Sequence, residues 1–118
     1  MKNTPEPVTL WHNPRCGKSR AALALLQQRG IEPNIVEYLK TPPSAGELRA
    51  VLRKLGMTPE QLVRKGEDAY RAMAGKALSE AQWIEAMVRD PILIERPIAI
   101  KGERAVVGRP PEKVLEVV

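Results

Sequence analysis

Apolar residues along the chain change period several times, and each change marks an element. Residues 8–12 form a short run with strand character around Val8, Leu10 and Trp11. Between residues 19 and 28, Ala21, Ala22, Leu23, Leu25 and Leu26 recur at helical spacing, and Gly30 closes the run. Residues 34–39 are β-branched and aromatic enough for a second strand, parallel to the first through a right-handed crossover. Thr41-Pro42-Pro43 then stops the strand. Ser44, with Glu47 three residues on, forms a capping box that opens a helix carrying Leu48, Val51, Leu52 and Leu55 and ending near Gly56.

Thr58-Pro59-Glu60-Gln61 repeats this signal, with proline at the first helical position, and predicts a short helix through Leu62 and Val63. Ser79 and Gln82 make a third box, opening a helix with Trp83, Ile84, Met87 and Val88 that stops at Asp90-Pro91. Strand character returns over residues 92–100. A tight turn at Lys101-Gly102-Glu103 then pairs Ala105-Val106-Val107 back as a hairpin, and Pro110-Pro111-Glu112 opens a last helix. The order β-α-β, helical insertion, β-hairpin, α predicts an α/β protein: a mixed four-stranded sheet flanked by helices, with the helical insertion in the middle of the chain.

At 118 residues the chain is expected to form one domain over 1–118, and no repeat or linker divides it. With no Phe, two Trp and two Tyr, the core must come from Leu, Ile, Val, Met and Ala. The first seven residues lack the apolar stretch of a secretory signal, and no segment approaches a membrane span, so a cytoplasmic protein without a membrane partner is expected. The net charge of +5 does not indicate nucleic acid. Its Lys and Arg are interleaved with Glu and Asp, without a basic run or stacking aromatics. A small anion in one cleft is the better destination for that charge.

The single cysteine, Cys16, stands where the first strand gives way to the first helix. A lone cysteine is often only a small buried hydrophobe. Here the unpaired N–H groups of a helix start, and the cations of His12, Arg15, Lys18 and Arg20, would each favour a thiolate. The same N–H groups make a receptor for a tetrahedral oxyanion. An active thiol after the first strand of such a chain is the thioredoxin-like arrangement. The position of a second cysteine in a Cys-x-x-Cys pair holds Ser19, which can hydrogen-bond a thiolate but cannot resolve a disulfide. Any redox cycle must therefore be completed by a thiol from another molecule. Arg64, Arg96 and Arg109 each interrupt an apolar or proline-rich context and offer planar forks suited to an oxyanion.

His12-Asn13-Pro14-Arg15-Cys16-Gly17-Lys18-Ser19-Arg20, then Leu62-Val63-Arg64-Lys65, Pro91-Ile92-Leu93-Ile94-Glu95-Arg96-Pro97-Ile98 and Gly108-Arg109-Pro110 occur in order. Together they resemble the glutaredoxin-linked arsenate reductases, and in particular a shorter arsenate reductase-like branch. The resemblance implies that Cys16 attacks arsenate to give a covalent cysteine–arsenate adduct and that Arg64, Arg96 and Arg109 bind the oxyanion. It also implies that His12 and Ser19 lower the cysteine's pKa and that a cis proline stands at Pro97. Glutathione would be the co-substrate and glutaredoxin the partner that releases arsenite; no bound cofactor and no metal are implied. Two other readings stay open: a glutathione-dependent thiol-disulfide oxidoreductase, and a non-enzymatic regulator related to redox sensors that bind RNA polymerase.

Overall fold

The computed structural model describes residues 7–73 and 75–118; the leader ahead of Pro7 lies outside them. The chain divides into two compact units. One runs up to Glu37 and resumes over Arg96–Val118; the other is Tyr38–Glu95.

The first unit holds the whole sheet. Its elements are strand β1 (Val8–Trp11), helix α1 (Gly17–Gln28), strand β2 (Asn34–Val36), strands β3 (Ile98–Lys101) and β4 (Arg104–Val107), and a 3₁₀ segment, Pro111–Val117. The strand order is β2-β1-β3-β4. β1 pairs parallel with β2 (Leu10 opposite Ile35) and antiparallel with β3 (Leu10 opposite Ala99), and β3 pairs antiparallel with β4. Val8 and Leu10 share one face of β1 and bury against Ala22 and Leu26, one turn apart on α1, with Ala99, Val114 and Val117 completing the cluster. Each Leu or Val so buried is worth roughly 1.5–3 kcal/mol against exposure. α1 ends as its sequence requires. Gly30 takes φ 78°, its N–H donates to Gln27 O (2.9 Å), and Ile31 N–H donates to Leu26 O (3.0 Å), closing a Schellman motif. This is the mixed, helix-flanked sheet of thioredoxin-like proteins.

The second unit is helical: α2 (Ala45–Leu55), α3 (Pro59–Leu62), α4 (Asp68–Arg71), α5 (Glu80–Arg89) and a 3₁₀ turn, Pro91–Leu93. All three capping boxes form, at Ser44/Glu47, Thr58/Gln61 and Ser79/Gln82, each with both reciprocal bonds. Leu48, Val51 and Leu52 of α2 and Trp83, Ile84 and Met87 of α5 are buried, the spacing that brings two amphipathic helices together. Among the described residues no helix is long and apolar enough to cross a membrane.

Four elements differ from their sequence reading. β2 stops at Val36 because β1 has ended at Trp11 and the last ladder acceptor, Val36 O, is used by His12 N–H at 2.9 Å. The apolar run 92–100 is not one strand: Pro91 starts a 3₁₀ turn, Ile94 makes only an isolated bridge with Val63, and Pro97, lacking an N–H, delays the strand to Ile98. The last helix is 3₁₀ rather than α, with i to i+3 bonds such as Lys113 N–H to Pro110 O (3.0 Å). The turn at α4 carries no apolar periodicity; Arg71 pairs with Asp68 across it at 2.6 Å, both exposed, and Tyr70 stacks on Trp83.

Candidate active site

Cys16 is the N-cap of α1, with the extended backbone of a capping residue (φ −92°, ψ 124°). Two bonds fix it: its N–H donates to Asn13 O (2.9 Å), and its carbonyl accepts from Arg20 N–H (3.0 Å). The thiol is free and half-buried. It makes no capping hydrogen bond of full geometry, so it stands at the helix start without being consumed by it. Burial pushes the thiol up. The Ser19 backbone N–H, the Arg96 guanidinium and the Lys18 backbone N–H together outweigh burial and hold it below the ordinary thiol value.

His12 and Ser19 lie buried beneath this loop, at 5 % and 0 % exposure. His12 Nδ1 stands 2.6 Å from Ser19 Oγ, which also accepts Asn13 N–H at 3.0 Å. Asn13 Oδ1 in turn accepts Arg15 N–H at 3.0 Å. The chain between strand and helix is thus tied down by side chains at both ends. One expectation changes here. Burial lowers His12 below its ordinary 6.5, against the opposing carboxylate of Glu37 and with the help of Arg20, so at neutral pH it is a neutral ring and not one of the cations around the thiol. Arg15, Lys18 and Arg20 are exposed, and Arg20 Nη1 is engaged with Pro14 O at 2.9 Å. Charge reaches the sulfur from Arg96 and from backbone N–H groups instead.

Arg96 is the most telling side chain of the site. It is 8 % exposed, yet its Nε and Nη1 have no hydrogen-bond partner among the described residues. A buried guanidinium leaves donors unpaired only at considerable cost unless a ligand takes them. Its position is locked from behind. The Arg96–Pro97 peptide is cis, as is Arg109–Pro110; Gly108 N–H donates to Pro97 O (2.8 Å), and Arg109 Nε donates to Arg96 O (2.9 Å). Gly108 must be glycine here, since a Cβ would lie 2.7 Å from Val114 Cγ1 and 2.8 Å from Pro97 Cγ. Cys16, His12, Ser19, Arg96, Pro97 and Arg109 therefore all belong to the first unit.

Arg64 belongs to the second unit. It follows the Val63–Ile94 bridge, its N–H donates to Leu93 O at 2.6 Å, and its Nε pairs with Glu67 at 3.3 Å. Its Nη1 is buried without a hydrogen-bond partner among the described residues, the same unspent donor seen at Arg96.

Three contributors went unread in the sequence. Asn13 supplies both the acceptor for Cys16 N–H and a side-chain brace for Arg15. Gly108 was passed over as the neighbour of Arg109. Glu37 reads in the sequence only as a strand residue; the register that brings it to His12 comes from the structure.

Residues 11–117 match the ArsC family. The chain is 49% identical over 114 residues to the uncharacterized protein YfgD of Escherichia coli K12, covering 94% of this chain and 96% of that protein. It is 42% identical over 113 residues to an arsenate reductase of Haemophilus influenzae, covering 93% and 97%. The structure of an arsenate reductase from Vibrio cholerae superposes with a TM-score of 0.93 at 40% identity, covering 98% of this chain and 100% of that one. A match that takes in the cysteine loop, the helical second unit and the Arg96 and Arg109 segments, in sequence and in fold alike, leaves one assignment: the chain belongs to the ArsC family.

Proposed function

We propose that the protein is an arsenate reductase in which the Cys16 thiolate attacks the arsenic of arsenate. The observation that carries this reading is the buried Arg96 guanidinium, with donors unspent, beside a thiol whose pKa is depressed. A cation and a nucleophile set side by side suit a substrate that is both an anion and an electrophile. The sulfur–arsenic bond forms as one arsenate oxygen leaves as water, giving the cysteine–arsenate adduct. Glutathione supplies the second thiol and glutaredoxin clears the resulting mixed disulfide. Over the cycle two thiols lose two electrons and become a disulfide, arsenic(V) becomes arsenic(III), and arsenite leaves. Arg96 and Arg109 hold the oxyanion from the first unit; Arg64 is proposed as the third arginine on its motif match and its unspent Nη1. His12 and Ser19 tune the sulfur.

Arsenate reduction measured with glutathione and glutaredoxin, beside Cys16→Ser, tests the proposal. Arsenite release by the wild type and none by Cys16→Ser is the expected result. A wild type that ignores arsenate while reducing glutathionylated substrates would replace it with the thiol-disulfide reading.

A further inference from the structure

The parallel register of β1 and β2 runs Thr9 with Asn34, Leu10 with Ile35 and Trp11 with Val36. His12 N–H donates to Val36 O at 2.9 Å, which carries the pairing one step beyond the strands. The next pair is His12 with Glu37. Paired residues of parallel strands project to the same face, so the half-buried Glu37 side chain lies alongside the buried imidazole, on the face of the sheet that α1 covers. Neither the cysteine chemistry nor the oxyanion site uses this carboxylate.

Proton accounting gives it a consequence. Ser19 Oγ has one proton to donate and two lone pairs to accept with. One lone pair takes Asn13 N–H. If His12 Nδ1 is bare, the Ser19 hydroxyl spends its proton on the ring, 2.6 Å away. If Nδ1 carries a proton, the ring donates, both lone pairs are filled, and the hydroxyl proton is left for another acceptor. Ser19 is the third residue of α1 and Cys16 its cap, and the Ser19 backbone N–H already acts on the Cys16 sulfur, so the hydroxyl of the same residue stands close to it. We propose that Glu37 is a positioning residue for the thiolate: its carboxylate favours a proton on His12, which turns the Ser19 hydroxyl toward the Cys16 sulfur and extends the reactive thiolate to lower pH.

Among the described residues, the charges acting on His12 are Glu37, from the end of β2, and Arg20, from α1; Cys16 is the titratable group of the neighbouring loop, and from β3 the register brings Pro97, which does not titrate, preceded by Arg96. Glu37 favours the protonated ring and Arg20 opposes it; a Cys16 thiolate would act in the same direction as Glu37. The inference rests on reading Cys16 as the reacting thiol, and the tests separate the two.

Two readouts on the full chain decide it: the His12 ring midpoint by NMR, and the pH profile of Cys16 alkylation by iodoacetamide. Glu37→Gln, which keeps shape and loses charge, should lower the His12 midpoint by about half to one pH unit. Alkylation near pH 6 should slow roughly two- to five-fold, with little change above pH 8. Glu37→Asp, which keeps the charge, should restore most of both. In a Ser19→Ala background the Glu37→Gln effect on alkylation should vanish, because the link is gone. An unmoved His12 midpoint in Glu37→Gln overturns the proposal, and so does a moved midpoint with an unchanged alkylation profile. Should wild-type Cys16 titrate as an ordinary thiol, the reading of Cys16 fails instead, while the His12 midpoint still reports on Glu37.

Discussion

Cys16 combines an unremarkable side chain with an unusual address. A thiolate at this N-cap gains the Ser19 and Lys18 N–H groups and the Arg96 guanidinium, and loses less to burial than it gains. Its alkylation midpoint is therefore expected below the free-thiol value of about 8.5, and Arg96→Ala should raise it toward that value. Arg96→Lys should restore part of the shift, since charge returns, but little oxyanion binding, since the fork does not. A wild-type midpoint at or above about 8.5 would show that the thiol is not activated. His12 makes the opposite trade. Its folded pKa lies below the unfolded 6.5, so the unfolded chain takes up a proton first as pH falls. The neutral ring contributes stability that is fully present above pH 6.5 and is lost as pH falls through the folded value. Urea unfolding followed from pH 7.5 to 5 should show this loss in the wild type and a smaller one in His12→Gln; parallel curves would assign the acid limb to other groups.

Among the elements, those that announce themselves do so by local chemistry. The three capping boxes and the Gly30 and Gly56 helix ends were legible because each is settled within about five residues. The apolar run from Ile92 to Ile100 misled because periodicity cannot see that Pro97 lacks a ladder donor in its middle, and the 3₁₀ form of Pro111–Val117 is decided by packing, not by pattern. The same division holds in the site. Cys16, Ser19 and the arginines stand out by type and motif, whereas Glu37 and Gly108 matter through neighbours distant in sequence. Gly108 offers the sharpest element-scale test. Gly108→Ala drives a methyl into Val114 and Pro97, side chains with little freedom to yield. A destabilisation of about 1–3 kcal/mol by urea unfolding is expected, the range for overpacked cores. Because Gly108 N–H also holds Pro97 O and leads into Arg109, oxyanion binding should weaken along with stability. Unchanged stability would mean the segment can shift as a body.

For the whole molecule, one cysteine sets the economy of the reaction. In the proposed cycle, attack by Cys16 would leave an adduct that no second cysteine in the sequence could displace, so turnover is expected to stop after one round unless an outside thiol is supplied. Sustained arsenate reduction without added thiol would rule out this monothiol cycle. The arginines pose the remaining question at this scale, because Arg96 and Arg109 belong to one compact unit and Arg64 to the other. Residues that serve one small anion lose their value together, so their losses in kcat/KM should be far from additive. Arg96→Ala and Arg64→Ala are each expected to lower kcat/KM for arsenate by roughly ten-fold or more, about the loss of one charged hydrogen bond to the substrate. Their double variant should fall by clearly less than the product of the two. Such a cycle is informative whichever way it closes. Coupling would support one oxyanion shared by both forks, whereas strict additivity would separate Arg64 from the anion at Arg96 and leave its buried Nη1 to another ligand.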